Sequence, residues 1–165
     1  LLQLETPLPT VEAALRLAKR EGVITILDPA PCRRLAKRLL QRVDILTPNE
    51  SELAALTGLP VKTKRDIERA GEALLQTGVG EVLATCGARG VCRLAKWEKR
   101  WFPAPKIRAV DTVGAGDCFN GMLAAALSAG LAREAAIHFA VTAAARSVAR
   151  SGAQPSFPKL KPSAD

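Results

Sequence analysis

Apolar residues recur along this chain in two alternating rhythms. Short runs that are apolar at nearly every position give way to longer stretches in which apolar residues return every three or four positions. "VITILD" (23–28) is the clearest short run and reads as a parallel strand buried on both faces. "LLQLE" (1–5), "DILT" (44–47) and "EVLATC" (81–86) read as further strands. Between them the spacing predicts a helix over 10–20 and a loop and helix in "PAPCRRLAKRLL" (29–40). It also predicts a helix in "NESELAALTG" (49–58) capped by Gly58, and another in "TKRDIERAGEALLQTGVG" (63–80) with a glycine stop. "GVCRLAKWEKRWFPAP" (90–105) reads as a hairpin pair. Two long alanine-rich helices follow "VDTVGAGD" (110–117), then the loop "SGAQPSFP" (151–158) and a polar tail. Strands alternating with helices argue for an α/β fold, a parallel sheet covered on both sides, in one domain spanning 1–165.

In such sheets, ligands bind beyond the carboxyl ends of the strands. Polar and glycine residues gather there: Glu5, 28–31, 47–52, 85–90 and 111–117. "AVDTVGAGDCFNG" (109–121) is the most unusual of these stretches. A helix starting near Gly114 leaves the amides of Gly114, Ala115 and Gly116 without intrahelical partners, a ready anion site. Asp117 then sits in the first turn, where a carboxylate can accept a proton from an attacking hydroxyl. A plain glycine-rich turn, with Asp117 complementing the helix dipole, fits the same residues. "TPNESE" (47–52) likewise allows two readings. Asn49 and Glu52 either cap a helix or face Mg²⁺ with its waters and nucleotide phosphates. "TCGARG" (85–90) is a hairpin connection or a loop lining a nucleotide pocket. In "ARSGAQPS" (149–156) Gly152 reads as a helix C-cap, with carbonyls nearby that could coordinate a cation.

Composition narrows the classes. The 165 residues, 48% hydrophobic and 24% charged, suit one soluble domain with a real core. No apolar run is long enough to span a bilayer, no signal-peptide pattern opens the chain, and the start "LLQLETP", without Met, reads as a fragment. The formal charge of +8 is spread along the chain. Its densest run, "RRLAKRLLQR" (33–42), places Leu35, Leu39, Leu40 and Val43 on one helical stripe and its charges on a solvated face. With no tyrosine and few aromatics, nucleic-acid stacking has little support. Cys32, Cys86, Cys92 and Cys118 form no CxxC pair or metal-ligand spacing and read as reduced thiols of a cytoplasmic protein. His138, the only histidine, falls within a helical run and reads as a helix residue rather than a catalytic one. No GxGxxG follows the first strand, which argues against a dinucleotide-binding dehydrogenase.

"AVDTVGAGDCFNG", "TPNESE", "DPAP" (28–31), "TCGARG" and "SGAQPS" (151–156), in this order and spacing, resemble the ribokinase branch of the PfkB carbohydrate kinases. The resemblance covers essentially the whole chain but only the C-terminal half, or slightly more, of a typical member. It implies a three-layer α/β/α ribokinase-like fold with a mostly parallel Rossmann-like sheet, lacking the N-terminal part and lid. It implies ATP-dependent phosphorylation of a sugar hydroxyl, D-ribose to ribose 5-phosphate, with ATP, Mg²⁺ and an activating K⁺. Asp117 matches the catalytic base and sugar contact, and Gly114, Ala115 and Gly116 match the anion hole. Asn49 and Glu52 match the element that organises Mg²⁺ and phosphates. Thr85, Cys86, Gly87, Ala88, Arg89 and Gly90 match the ATP loop. Asp111, Val113, Ser147, Arg150, Gly152 and Ser156 match the monovalent-cation site, and Glu5 matches a sugar-contacting glutamate. The sequence departs from the family at Val141, where a polar residue often stands beside the adenine, and at Met122, usually small. Sugar and ATP are the expected partners, with neither nucleic acid nor membrane, and a homodimer through the uncovered sheet edge is compatible with the sequence. Other readings are a nucleotide-binding fragment without turnover, or a kinase of another sugar or nucleoside.

Overall fold

A computed structural model of the chain describes residues 1–96 and 98–159. The polar tail from residue 160 and Trp97 in the hairpin lie outside these. The chain forms two compact units: Leu1–Cys86 with Cys92–Trp101, and Gly87–Val91 with the chain from Phe102 onward.

The first unit is built on a six-stranded sheet. Its strands are β1 (Leu2–Gln3), β2 (Ile26–Asp28), β3 (Ile45–Leu46), β4 (Glu81–Thr85), β5 (Val91–Ala95) and β6 (Glu98–Phe102). Their order in the sheet follows their order in the chain. The first four are parallel, with Leu2 opposite Leu27, Leu27 opposite Leu46, and Leu46 opposite Val82. Connections too short for a crossover make β4–β5 and β5–β6 hairpins. The crossovers carry α1 (Leu8–Arg20), the single turn α2 (Lys37–Leu40), α3 (Glu50–Thr57) and α4 (Lys64–Leu75). Residues alternate between faces along each strand. Leu27, Leu46, Val82 and Ala84 join Val11, Leu15, Leu39, Leu53, Ile67 and Leu74 in one buried cluster.

Several expected elements are shorter than the sequence suggests: the strands expected over 1–5 and 44–47 keep two residues each, and two others shrink for reasons the structure shows. The strand expected from Val23 starts at Ile26, and Val23 and Ile24 are 58% and 52% exposed. The Thr25 amide and hydroxyl both donate to the Asp44 carboxylate at 2.9 Å, and the Asp44 amide donates back to Thr25 Oγ1. These side-chain bonds close the pair at the foot of the ladder, so the two residues before them have no partner strand. Burial alone raises the Asp44 carboxyl, but the Thr25 bonds and Lys19 outweigh it and hold it below its ordinary value. The helix expected in 33–42 is reduced to α2. Ala36 at its N-cap supplies no side-chain acceptor, and a short helix without a cap does not propagate. The apolar stripe is nevertheless satisfied. Leu39, Leu40 and Val43 are buried, and Leu35 packs against the cluster.

α4 starts on a capping box. Thr63 Oγ1 accepts from the Asp66 amide at 3.1 Å, and the Asp66 carboxylate accepts from the Thr63 amide at 2.9 Å. Thr63→Ala is expected to cost about 1 kcal/mol, read from a urea midpoint, and Thr63→Ser to recover most of it. Equal midpoints for wild type and alanine variant would refute that role. Glu68 on α4 accepts from Trp101 Nε1 at 2.9 Å, and the Lys64 ammonium lies 4.8 Å from the Trp101 ring centre, fastening β6 to the helix.

The second unit holds α5 (Ala115–Ser128) and α6 (Arg133–Ser147), which pack on each other, and Phe119, Leu123, Ala126, Ala136, Ile137, Ala140 and Ala143 on them are all buried. Its alanines let the backbones approach closely. His138 lies exposed on α6. Among the described residues no helix is long and apolar enough to cross a membrane.

Candidate functional site

In the first unit, the polar segments singled out by the sequence follow the carboxyl ends of β1 to β4. Glu5 is exposed and accepts from Gln3 Nε2 at 3.1 Å. Asp28 Oδ1 accepts from the Ala30 amide at 3.2 Å and turns the chain into the proline segment. Asn49 and Glu52 form a reciprocal capping box on α3. Asn49 Oδ1 accepts from the Glu52 amide at 2.9 Å, and Glu52 Oε2 accepts from the Asn49 amide at 2.8 Å. Capping is therefore present, and it fixes where these side chains point. Glu52 is buried and Asn49 exposed. Asn49 also bridges to Thr85, whose amide donates to the Pro48 carbonyl at 2.9 Å, so the two segments start side by side.

The thiol of Cys86 is buried and donates to the Ala84 carbonyl at 3.4 Å. Burial pushes the neighbouring Cys92 thiol up to about 12, which removes it from thiolate chemistry. Gly87 and Ala88 are exposed on a 3₁₀ turn (Gly87–Arg89), Arg89 is half-buried, and Gly90 is buried, its amide donating to the Gly87 carbonyl at 3.0 Å.

In the second unit the "DTVGAGD" segment forms the expected loop-to-helix junction. Gly114 is the N-cap of α5 with φ +77°, a conformation glycine adopts without steric cost. A side chain there would also collide with its surroundings. An added Cβ would stand 2.8 Å from Ala153 Cβ and 3.3 Å from the Phe157 ring. The expected trio of open amides is altered in one respect. The Ala115 amide donates to the Thr112 carbonyl at 3.2 Å and is not available. The amides of Gly114, Gly116 and Asp117 meet no acceptor among the described residues. Gly116 and Asp117 are exposed in the first turn. The arrangement leaves three backbone donors beside an exposed carboxylate, the geometry in which a helix N-terminus can receive an anion.

Asp111 ties this junction to the loop after α6. Its Oδ1 accepts from the Val113 amide at 3.0 Å and its Oδ2 from the Gly152 amide at 2.9 Å. The Val113 and then the Gly152 amide hold the Asp111 carboxyl below its ordinary value. Gly152 is therefore not the C-cap of α6, a place taken by Val148. Ser147 and Ser156 are buried. Their hydroxyls donate to the Ala144 carbonyl at 2.8 Å and the Ala153 carbonyl at 2.7 Å. The Arg150 amide donates to the Ser147 carbonyl at 3.3 Å, and its side chain is exposed. Asp111, Val113, Gly152 and Ser156 thus share one loop cluster. Val141, by contrast, is only 3% exposed on α6, and Met122 on α5 is half-buried.

Among the described residues no group of three or more His, Cys, Asp or Glu side chains could hold a metal ion. The segment 111–113 and the end of α6 with its following loop offer instead oxygen donors, one carboxylate, two hydroxyls and backbone carbonyls. That all-oxygen set fits a hard cation of low charge. Sequence reasoning did not single out Val148 and Phe157, and reached Ala153 only as part of the 149–156 loop. The Val148 carbonyl accepts from the Val110 amide at 2.7 Å and the Asp111 amide at 3.2 Å, and the other two pack on Gly114. None has a side-chain type that signals such a role.

The sequence profile of pfkB family carbohydrate kinases matches residues 1–160. A ribokinase of Haemophilus influenzae is 42% identical over 96% of this chain and 52% of its own length. A deoxyribokinase of Salmonella typhi is 38% identical over 97% of this chain and 53% of its own. Among solved structures, Arabidopsis thaliana ribokinase complexed with ribose and ATP superimposes with a TM-score of 0.89 at 35% identity, covering 94% of this chain and 51% of that one. The chain spans about half the length of the curated relatives it matches. The Arabidopsis structure shares its mostly parallel α/β fold.

Proposed function

The chain belongs to the pfkB family of carbohydrate kinases, and from that membership we propose that it transfers the γ-phosphoryl group of ATP to a sugar hydroxyl. D-ribose is the proposed acceptor and ribose 5-phosphate the product. The observation that carries this reading is the α5 junction, where open amides at Gly114, Gly116 and Asp117 adjoin the exposed Asp117 carboxylate. Asp117 accepts the hydroxyl proton as the sugar oxygen bonds to the γ-phosphorus. The bond to the bridging oxygen breaks, and ADP leaves with that electron pair. The free amides and the helix dipole stabilise charge on the transferring group.

Thr85 to Gly90 supply the nucleotide loop in this reading, and Glu5 a sugar contact. Asn49 and Glu52 would hold Mg²⁺ through its water shell, and the oxygens of Asp111, Val113, Ser147, Arg150, Gly152 and Ser156 would hold K⁺. When bound, these ions supply positive charge that offsets the phosphate charge. The identity to deoxyribokinases supports 2-deoxyribose as the competing acceptor.

The test is ADP release by the intact gene product with ATP, Mg²⁺, K⁺ and a panel of pentoses. Ribose-dependent release is expected, with 2-deoxyribose slower. Faster turnover of 2-deoxyribose would reassign the acceptor. ATP cleavage indifferent to every sugar would remove the kinase reading.

A further inference from the structure

We propose that Asp111 is a positioning residue for phosphoryl transfer, its carboxylate clamping the segment before α5 to the loop after α6 and so setting the aim of the open amides. This inference rests on the kinase reading above. The geometry has three parts, all within the second unit. The Asp111 carboxylate is divided between two backbone amides, Val113 at 3.0 Å within its own turn and Gly152 at 2.9 Å from the distant loop. Below it, the Val148 carbonyl accepts from both Val110 and Asp111. Above it, Gly114 lies against Ala153 and Phe157 so closely that no side chain would fit. The distant loop is thus joined to residues 110–114 at three successive points. Gly114 is the N-cap of α5, so the direction of its peptide plane fixes where the first-turn amides point.

A carboxylate is required because it offers acceptors on both oxygens, whereas an asparagine side chain must present an NH₂ to one of the two amides. Asp111→Asn therefore breaks one arm of the clamp with almost no change in volume. Misplacing a preorganised donor by an ångström lowers the rate without weakening substrate binding in proportion.

In Asp111→Asn of the intact gene product, kcat is expected to fall about ten- to a hundred-fold, with KM for ATP and sugar within about two-fold of wild type. Raising K⁺ to saturation should not restore kcat. Full recovery with K⁺ would make Asp111 a cation ligand alone and overturn the clamp, as would a loss confined to KM. Amide hydrogen exchange of the wild-type protein, free of nucleotide and K⁺, gives a reading independent of activity and of the variant's folding. Val113, although 64% exposed, should show a slowed amide together with Gly152. Fast exchange at both would overturn the proposal. Slow exchange in a protein without sugar-dependent turnover would leave the clamp as a structural tie, and end both its positioning role and the kinase reading.

Discussion

Asp117→Asn is expected to lower sugar-dependent ADP release by about 10²–10⁴-fold. Asparagine keeps the shape of the side chain and its ability to complement free amides in the first turn of α5. It cannot take a proton at neutral pH. The structural cost is small because Asp117 is exposed and makes no side-chain bond among the described residues. Losing its charge near the helix N-terminus removes about 0.3–1 kcal/mol of dipole interaction. Thermal denaturation should therefore barely separate the variant from wild type while turnover collapses. KM values for ATP and sugar should stay close to wild type, since the proton is taken only as the new bond forms. An asparagine variant that turns over at the wild-type rate would remove Asp117 from its assigned role, whatever becomes of the rest of the site.

The largest effect on folding is expected at the last residue of the proposed nucleotide loop, a glycine whose part in folding is steric. Gly90 closes the turn between β4 and β5 with φ +88°. A Cβ there would lie 2.0 Å from the Phe102 carbonyl oxygen, 2.6 Å from the Ala104 nitrogen and 2.9 Å from the Pro103 carbonyl carbon. All three are backbone atoms, so no rotamer change relieves the collision. Gly90→Ala is expected to cost about 3 kcal/mol or more, the sum of left-handed strain and overpacking. Against a total stability of about 5–15 kcal/mol, that is a large share. Gly87→Ala is the matched control. Its φ is +52° but nothing lies within 4 Å of the added carbon, so it should cost only the strain, about 1–2 kcal/mol. Chemical denaturation of both variants decides the matter. Equal midpoints would show that the chain from Phe102 to Ala104 gives way freely.

Where elements were long or carried a local cap, the sequence was a good guide to them. α4 declares itself by its apolar spacing, and Thr63 with Asp66 marks its start. Gly58 ends α3 in the left-handed conformation the sequence suggested. The short elements were overestimated because their limits depend on distant partners. β2 begins where Thr25 meets Asp44, a contact across the crossover that hydrophobic pattern does not encode. The site segments were legible as glycine and polar residues after strands, which is why Asn49, Thr85 and the 111–117 stretch stood out. The state of individual amides was not legible. Ala115 loses its N–H to Thr112 through the local path of the backbone. The partner of Asp111 is a glycine amide forty-one positions along the chain, and a backbone donor carries no residue-type signal.

The unequal reach of the pairings in the two units bears on the order in which they form. Leu2 must find Leu27, and Ile26 must find Ile45, each across an intervening crossover. α5 and α6 need only close the four residues 129–132 to meet. Local contacts of that kind form in microseconds, whereas parallel strand pairing waits on the closure of longer loops. The helix that carries Asp117 is thus expected to gain slow-exchanging amides early in refolding, with the β1–β3 ladder protected later. Pulse-labelled hydrogen exchange during refolding would show that sequence of events, and simultaneous protection of the two would contradict it. The turn that carries the open amides would then exist, as a local structure, before the sheet behind the other glycine and polar segments has assembled.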